Sequence, residues 1–161
     1  MKVVSIVGWS GSGKTTLITR LIAELRGRGR RVVAVKGTHA AYDIQPEGKD
    51  TARFRRAGAE EAYLLAGTEL LRMTAGAGAG QLLAELGQRL GAGDVVLMEG
   101  LTAPGVPVIE VAGGEPGKGL KTRPGELAAL VAAESSPGVR RCFRPDEIEQ
   151  IALFVEESHG T

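Results

Sequence analysis

The sequence predicts an α/β fold built on a mostly parallel central sheet, and three observations support this prediction. Residues 2–7 form an apolar, β-branched run that ends at a glycine-rich turn. Apolar side chains then recur at helical spacing from Leu17 to Leu25, and a second apolar run occupies residues 31–35. This order of strand, helix and strand is typical of a βαβ unit, in which the two strands run parallel.

The remaining elements continue the alternation of strands and helices. Apolar or β-rich runs predict further strands over residues 62–65, 70–73, 94–98, 106–111 and 127–132. Helical spacing predicts helices over residues 50–57, 81–90 and 148–155, and glycine-rich stretches predict loops over residues 76–80 and 113–125. Strands that read as nearly continuous apolar runs indicate a sheet covered on both faces.

Length and composition set the class of protein. The 161 residues are close to the usual size of one domain, so we expect a single domain over residues 1–161. The charge balance of 20 basic and 19 acidic residues argues against a nucleic-acid or membrane-surface binder. One cysteine, Cys142, and two histidines, His39 and His159, exclude a disulfide framework and a Cys/His zinc site. Without a signal-peptide pattern or a membrane-spanning run, the expected location is cytoplasmic.

The strongest motif lies directly after the first predicted strand. Residues 8–15, Gly-Trp-Ser-Gly-Ser-Gly-Lys-Thr, match the phosphate-loop pattern G-x-x-x-x-G-K-[ST]. Its glycines allow successive main-chain N–H groups to surround phosphate oxygens, and the following helix adds its positive dipole end. Lys14 is expected to reach the β- and γ-phosphates, and the Thr15 hydroxyl to ligate Mg²⁺. The motif predicts a three-layer P-loop NTPase-like fold, with phosphate-binding residues Gly8, Trp9, Ser10, Gly11, Ser12, Gly13, Lys14, Thr15 and Thr16.

Acidic residues beside this loop are the next candidates. Glu99 ends the predicted strand at residues 94–98, where a carboxylate can bind Mg²⁺ through water or orient a nucleophile. The alternative is an ordinary strand-end carboxylate. A polar stretch from Lys36 follows the second predicted strand on the same sheet edge. Within it, His39 is a solvated loop residue or a catalyst. Asp50 is an active-site residue or a helix cap.

These motifs occur together, in the same order and spacing, in one known family. They are the phosphate-loop run 9–17, Lys36-x-Thr-His39, Asp43, Gly48-Lys-Asp-Thr51, Ala57-Gly-Ala59 and Glu99-Gly100. Over residues 3–111 the chain therefore resembles the molybdopterin-guanine dinucleotide biosynthesis protein B family. The spacing of the motifs after the phosphate loop is more specific than that loop, which many families share.

The resemblance implies a homodimer that binds GTP and Mg²⁺ and assists the guanylyltransferase that joins GMP to molybdopterin. It implies an adapter with weak GTPase activity at most, with that transferase as partner and molybdopterin as a candidate second ligand. By position, residues 11–16 hold phosphates, and Thr15, Glu99 and the candidate Asp43 serve the metal. Asp43 and Asp50 lie in the facing loop. Candidates for a catalytic base are Asp43, Asp50 and Glu99, and the residues do not single one out.

Two other functions remain as alternatives. In a small-molecule kinase, Asp43 or Asp50 acts as the base and the arginines at 53, 55 and 56 hold an anionic acceptor. A metal-delivery GTPase is disfavoured because the chain has too few Cys and His ligands.

The chain also departs from the family pattern. Gly37 and Ala40 replace histidines, and Leu101-Thr102 replace an aromatic residue and a lysine. With no asparagine, the chain lacks the Asn-Lys-x-Asp guanine motif, which leaves residues 134–136 as candidate base contacts.

Overall fold

The computed structural model describes residues 1–37, 50–74, 76, 78–114 and 117–158. Within these residues it contains eight strands: β1 (Lys2–Val7), β2 (Val32–Lys36), β3 (Glu61–Ala66), β4 (Glu69–Thr74), β5 (Val95–Glu99), β6 (Val108–Val111), β7 (Ala129–Val131) and β8 (Cys142–Phe143). The helices of the described part are α1 (Lys14–Gly27), α2 (Asp50–Arg56), α3 (Ala79–Gly87) and α4 (Ile148–Glu157), with a short 3-10 helix at Pro124–Glu126.

Six strands form one parallel sheet in the order β2-β5-β1-β6-β7-β8. The first strand, β1, lies in the middle and pairs with β5 on one side and β6 on the other. The strands β3 and β4 form a separate antiparallel hairpin. The predicted central sheet is confirmed, and its strands are parallel throughout the described residues.

Helices cover both faces of this sheet, which gives three layers. Side chains of α1 and α4, including Leu21 and Ile151, pack with Ile6 and Leu97 on one face. On the other face, Leu86 of α3 packs with neighbouring apolar side chains of β1 and β5. Burial on both sides explains why β1 and β5 are apolar at nearly every position.

The predicted elements agree with the structure except at their ends and at one strand. The predicted helix over 81–90 begins at Ala79, inside the stretch expected to be a loop, and ends at Gly87. The predicted strands over 106–111 and 127–132 shorten to β6 and β7. The strand β8 is not predicted from the sequence, since two residues carry no periodic signal and this strand exists only through its pairing with β7.

Among the described residues, no helix combines the length and apolar character needed to cross a membrane.

Candidate functional site

The phosphate loop connects the central strand β1 to helix α1 and is shaped by close contact with β6. Gly8 has a φ of 144°, and a Cβ there would lie 2.4 Å from the carbonyl oxygen of Val111 and 2.8 Å from Ser12 Oγ. Only glycine fits such a position. Gly13, with a φ of 95°, then turns the chain into α1, which begins at Lys14. The loop and the first turn of α1 therefore lie at the carboxyl end of the sheet.

Thr15 and Glu99 meet directly at this end of the sheet. Glu99 ends β5, level with Ile6 of the neighbouring β1. The Thr15 hydroxyl donates to the Glu99 carboxylate, with both carboxylate oxygens 3.0 Å from Oγ1. The Glu99 side chain is 14% exposed. A hydroxyl and a carboxylate in contact are hard oxygen donors of the kind that Mg²⁺ prefers, so the predicted pair fits a magnesium site.

Lys36 joins this pair from the adjacent strand β2. Its backbone is in register with Glu99, and its Nζ lies 3.6 Å from Glu99 Oε1. Because the Lys36 side chain is 70% exposed, the ion pair contributes little to stability. Its position adds a positive charge beside the loop. Lys36 begins a polar stretch that is visible in the sequence, but it was not among the predicted site residues.

These side chains line one open cavity of about 390 Å³. The residues that line it are Ser10, Gly11, Gly13, Lys14, Thr15, Thr16, Lys36 and Glu99. The Lys14 ammonium donates to the carbonyl oxygen of Trp9 at 2.6 Å, which holds it over the loop. The cavity thus gathers cations, hydroxyls, a helix N-terminus and one carboxylate, which is the chemistry of a phosphate site with a bound divalent cation.

Trp9 has a different position from its neighbours in the loop. Its indole Nε1 donates to the carbonyl oxygen of Gly119 at 2.8 Å. The ammonium groups of Lys118 and Lys121 lie 4.8 and 5.9 Å from the centre of its ring. Trp9 therefore attaches the phosphate loop to residues 117–122, which we call the basic strap. Trp9 was predicted among the phosphate-binding residues, and its contact with the basic strap is visible only in the tertiary structure.

Several predicted site residues lie outside the described part of the chain. These are Thr38, His39, Ala40, Asp43, Gly48 and Lys49. Asp50 begins α2, but its side chain also falls outside the description. Asp43 as a metal ligand, and Asp43 and Asp50 as catalytic bases, therefore stay predictions.

Gly37 and Leu101, at which the chain departs from the family pattern, lie in contact with each other. A Cβ added to Gly37 would lie 2.1 Å from Leu101 Cγ, so the Leu101 side chain occupies the space that a larger residue at 37 needs. Leu101 also packs with apolar residues of the sheet face that α3 covers. Gly37 and Leu101 are far apart in sequence, and the neighbouring strands β2 and β5 bring them together.

Comparisons with known proteins identify the family and agree with this fold. The family model for molybdopterin guanine dinucleotide synthesis protein B matches residues 3–133. Two curated relatives are molybdopterin-guanine dinucleotide biosynthesis adapter proteins, from Haemophilus influenzae at 44% identity and from Escherichia coli at 41%, each over 61 residues. Each match covers 38% of this chain, and the chain spans 34% and 35% of the two relatives.

A solved structure extends the likeness to nearly the whole chain. The crystal structure of Bacillus subtilis MobB superimposes with a TM-score of 0.71 at 23% identity, covering 98% of this chain and 100% of that one. At this identity the likeness establishes the fold. The predicted three-layer P-loop NTPase-like architecture is confirmed.

Proposed function

Because the chain belongs to the molybdopterin guanine dinucleotide synthesis protein B family, we propose that it is a GTP-binding adapter in the attachment of GMP to molybdopterin. The observation that carries this proposal is the convergence of the phosphate loop, the Thr15–Glu99 pair and Lys36 on one cavity. The two curated relatives are named as adapter proteins, which supports the assignment to this pathway. The chain spans about a third of their length.

The main-chain N–H groups of the phosphate loop hold the triphosphate of GTP. Lys14 exchanges its bond to the Trp9 carbonyl for phosphate oxygens, which are stronger acceptors because they are charged. Thr15 and Glu99 would hold Mg²⁺, which would supply positive charge against the triphosphate. Lys36 balances the Glu99 carboxylate and faces the same cavity. The preference for GTP over ATP rests on family membership.

The adapter role follows from what surrounds the phosphates. Glu99, the one candidate base whose side chain is described, is engaged by Thr15 and Lys36. With its oxygens engaged by Thr15 and Lys36, Glu99 is not placed to take a proton from an attacking water, which is consistent with the weak GTPase activity that the family resemblance implies. The protein therefore acts by presenting bound nucleotide, with the guanylyltransferase as its partner and molybdopterin as that enzyme's substrate. This reaction takes place in the cytoplasm.

The functional unit is a homodimer formed through the β3–β4 hairpin. Large apolar side chains are exposed along it: Tyr63, Leu64, Leu65, Leu70 and Leu71. Leu65 and Leu70 are directly opposite each other and are 71% and 64% exposed. An apolar surface of this kind usually marks an interface. A second copy of the chain offers a matching hairpin, as a two-fold dimer requires.

The direct test is reconstitution. Purified guanylyltransferase, molybdopterin and GTP are combined with Mg²⁺, and the dinucleotide product is measured with and without this chain. We expect the wild-type chain to raise the product yield and Lys14→Ala to have no such effect. An unchanged yield with the wild-type chain contradicts the adapter role.

A kinase assay separates the enzyme alternative. ATP or GTP is supplied with a panel of small anionic acceptors, and phosphoryl transfer is followed. We expect no transfer above background. Turnover in the usual kinase range of about 1–100 s⁻¹ with any acceptor would contradict the adapter role and identify the protein as a kinase.

A further inference from the structure

A second cavity, of about 650 Å³, has mostly polar and charged residues in its lining. It is lined by Thr102, Val108, Lys121, Thr122, Arg123 and Glu126. Thr102 belongs to the loop after β5, and Lys121 and Thr122 belong to the basic strap. The volume is within the range of sites that hold small organic molecules.

The basic strap, which contributes Lys121 and Thr122 to this cavity, is held in place by hydrogen bonds to two other segments of the chain. Glu110 of β6 is 1% exposed, and its carboxylate accepts the main-chain N–H groups of Lys121 at 2.6 Å and Thr122 at 2.8 Å. From the other side, Trp9 Nε1 donates to Gly119. Hydrogen bonds to a buried carboxylate are strong, so the side chains of Lys121 and Thr122 project from a well-defined backbone.

The lining has the chemistry of an anion site. Lys121 and Arg123 supply two positive charges, and Thr102 and Thr122 supply two hydroxyl donors. The acidic residue, Glu126, lies 3.8 Å from Arg123, and both side chains are largely exposed, so their ion pair is weak. Arginine binds phosphate through two parallel N–H groups, and lysine adds a point charge. Val108 provides apolar surface beside these donors.

We propose that this cavity is a second ligand site, which takes a phosphate monoester with a compact organic body. Lys121 and Arg123 bind its phosphate, and the hydroxyls of Thr102 and Thr122 complete the contacts. The proposal does not depend on which nucleotide occupies the phosphate loop.

The site is also connected to the nucleotide site through two short paths. Lys121 Nζ lies 5.9 Å from the Trp9 ring, and Trp9 is part of the phosphate loop. Thr102, which also lines the cavity, follows closely after Glu99, the partner of Thr15. Binding of a phosphate to Lys121 changes the charge next to the ring of Trp9, which is the one tryptophan of the chain.

Phenyl phosphate titrated into the full chain tests the proposal, with tryptophan fluorescence as the readout and phenol as the uncharged control. Three proteins are compared with the wild type: Lys14→Ala, the double variant Lys121→Gln/Arg123→Gln, and Arg26→Gln. Arg26 is an exposed arginine in the last turn of α1, so its exchange removes a positive charge away from the cavity. Because the exchanged cations of the double variant are exposed, it is expected to fold normally, and circular dichroism checks this.

We expect saturable binding of phenyl phosphate, but not of phenol, to the wild type, Lys14→Ala and Arg26→Gln proteins. The double variant should bind at least about tenfold more weakly, since it loses charged hydrogen bonds. A further variant, Thr122→Val, keeps the main-chain N–H group that donates to Glu110 and should bind phenyl phosphate more weakly than the wild type.

Binding that is unchanged in the double variant, absent from the wild type, or lost only in Lys14→Ala overturns the proposal. GTP binding measured in the same proteins separates this result from the fate of the nucleotide site.

Discussion

Exchanging Glu110 for glutamine should loosen the basic strap and lower the free energy of unfolding. The buried carboxylate accepts two main-chain N–H groups, at 2.6 and 2.8 Å. Glutamine has nearly the same volume, but its oxygen replaces only one of the two carboxylate oxygens that these N–H groups bond, and its NH₂ group faces the other N–H. A hydrogen bond to a charged acceptor is worth about 1.5–3 kcal/mol, and an unpaired buried donor costs about 1–3 kcal/mol.

The expected loss is about 2–4 kcal/mol, because part of the strap can shift to find water. In a chain of this size each kcal/mol lowers Tm by about 2–4 °C, so the expected decrease is about 4–16 °C. Urea unfolding and thermal circular dichroism measure the loss, and Trp9 fluorescence reports on the strap itself. The control Glu126→Gln makes the same chemical change at an exposed position, where less than about 0.5 kcal/mol is expected. Equal stabilities of the two variants would refute the role assigned to Glu110.

Three further predictions concern the nucleotide site and the dimer. Lys14→Ala should weaken GTP binding by calorimetry by about tenfold or more, since a charged hydrogen bond to phosphate is lost, while Arg26→Ala should leave it unchanged. An unaltered affinity in Lys14→Ala contradicts the phosphate-loop assignment. Thr15→Ala should lose more GTP affinity with Mg²⁺ than in EDTA. Thr15→Ser keeps the hydroxyl and should not show this Mg²⁺-dependent loss. Equal losses of the alanine variant under the two conditions contradict a metal role for Thr15. Leu65→Glu should convert dimer to monomer in sedimentation equilibrium, whereas Leu153→Glu, at an exposed leucine of α4, should not. A dimer that survives Leu65→Glu places the interface elsewhere.

Much of the site was predictable because its signals are local. The phosphate loop needs glycines at set positions, a lysine and a hydroxyl within eight consecutive residues, so the motif is complete in the sequence. Glu99 was predictable for a similar reason. The end of an apolar strand is visible in the sequence, and the carboxyl ends of parallel strands meet at one edge of the sheet.

Other contacts needed the fold, because they join residues distant in sequence. Neighbouring positions of β2, β5 and β1 bring Lys36 to Glu99 and Glu99 to Thr15. Nothing in the sequence near Trp9 indicates that its indole donates to Gly119, or that Glu110 is buried beneath the strap. A glutamate in an apolar strand looks like an exposed residue until its partners are known.

The amino-acid sequence by itself therefore determined the parallel α/β architecture and the phosphate loop, since both follow from periodicity and from local backbone geometry. The tertiary structure alone decided the sheet order, the short strand β8, the packing of Leu101 against Gly37, and the strap with its second cavity. The physical reason is that pairing between strands and burial of a charged group are properties of distant segments in contact, and no short stretch of sequence encodes them.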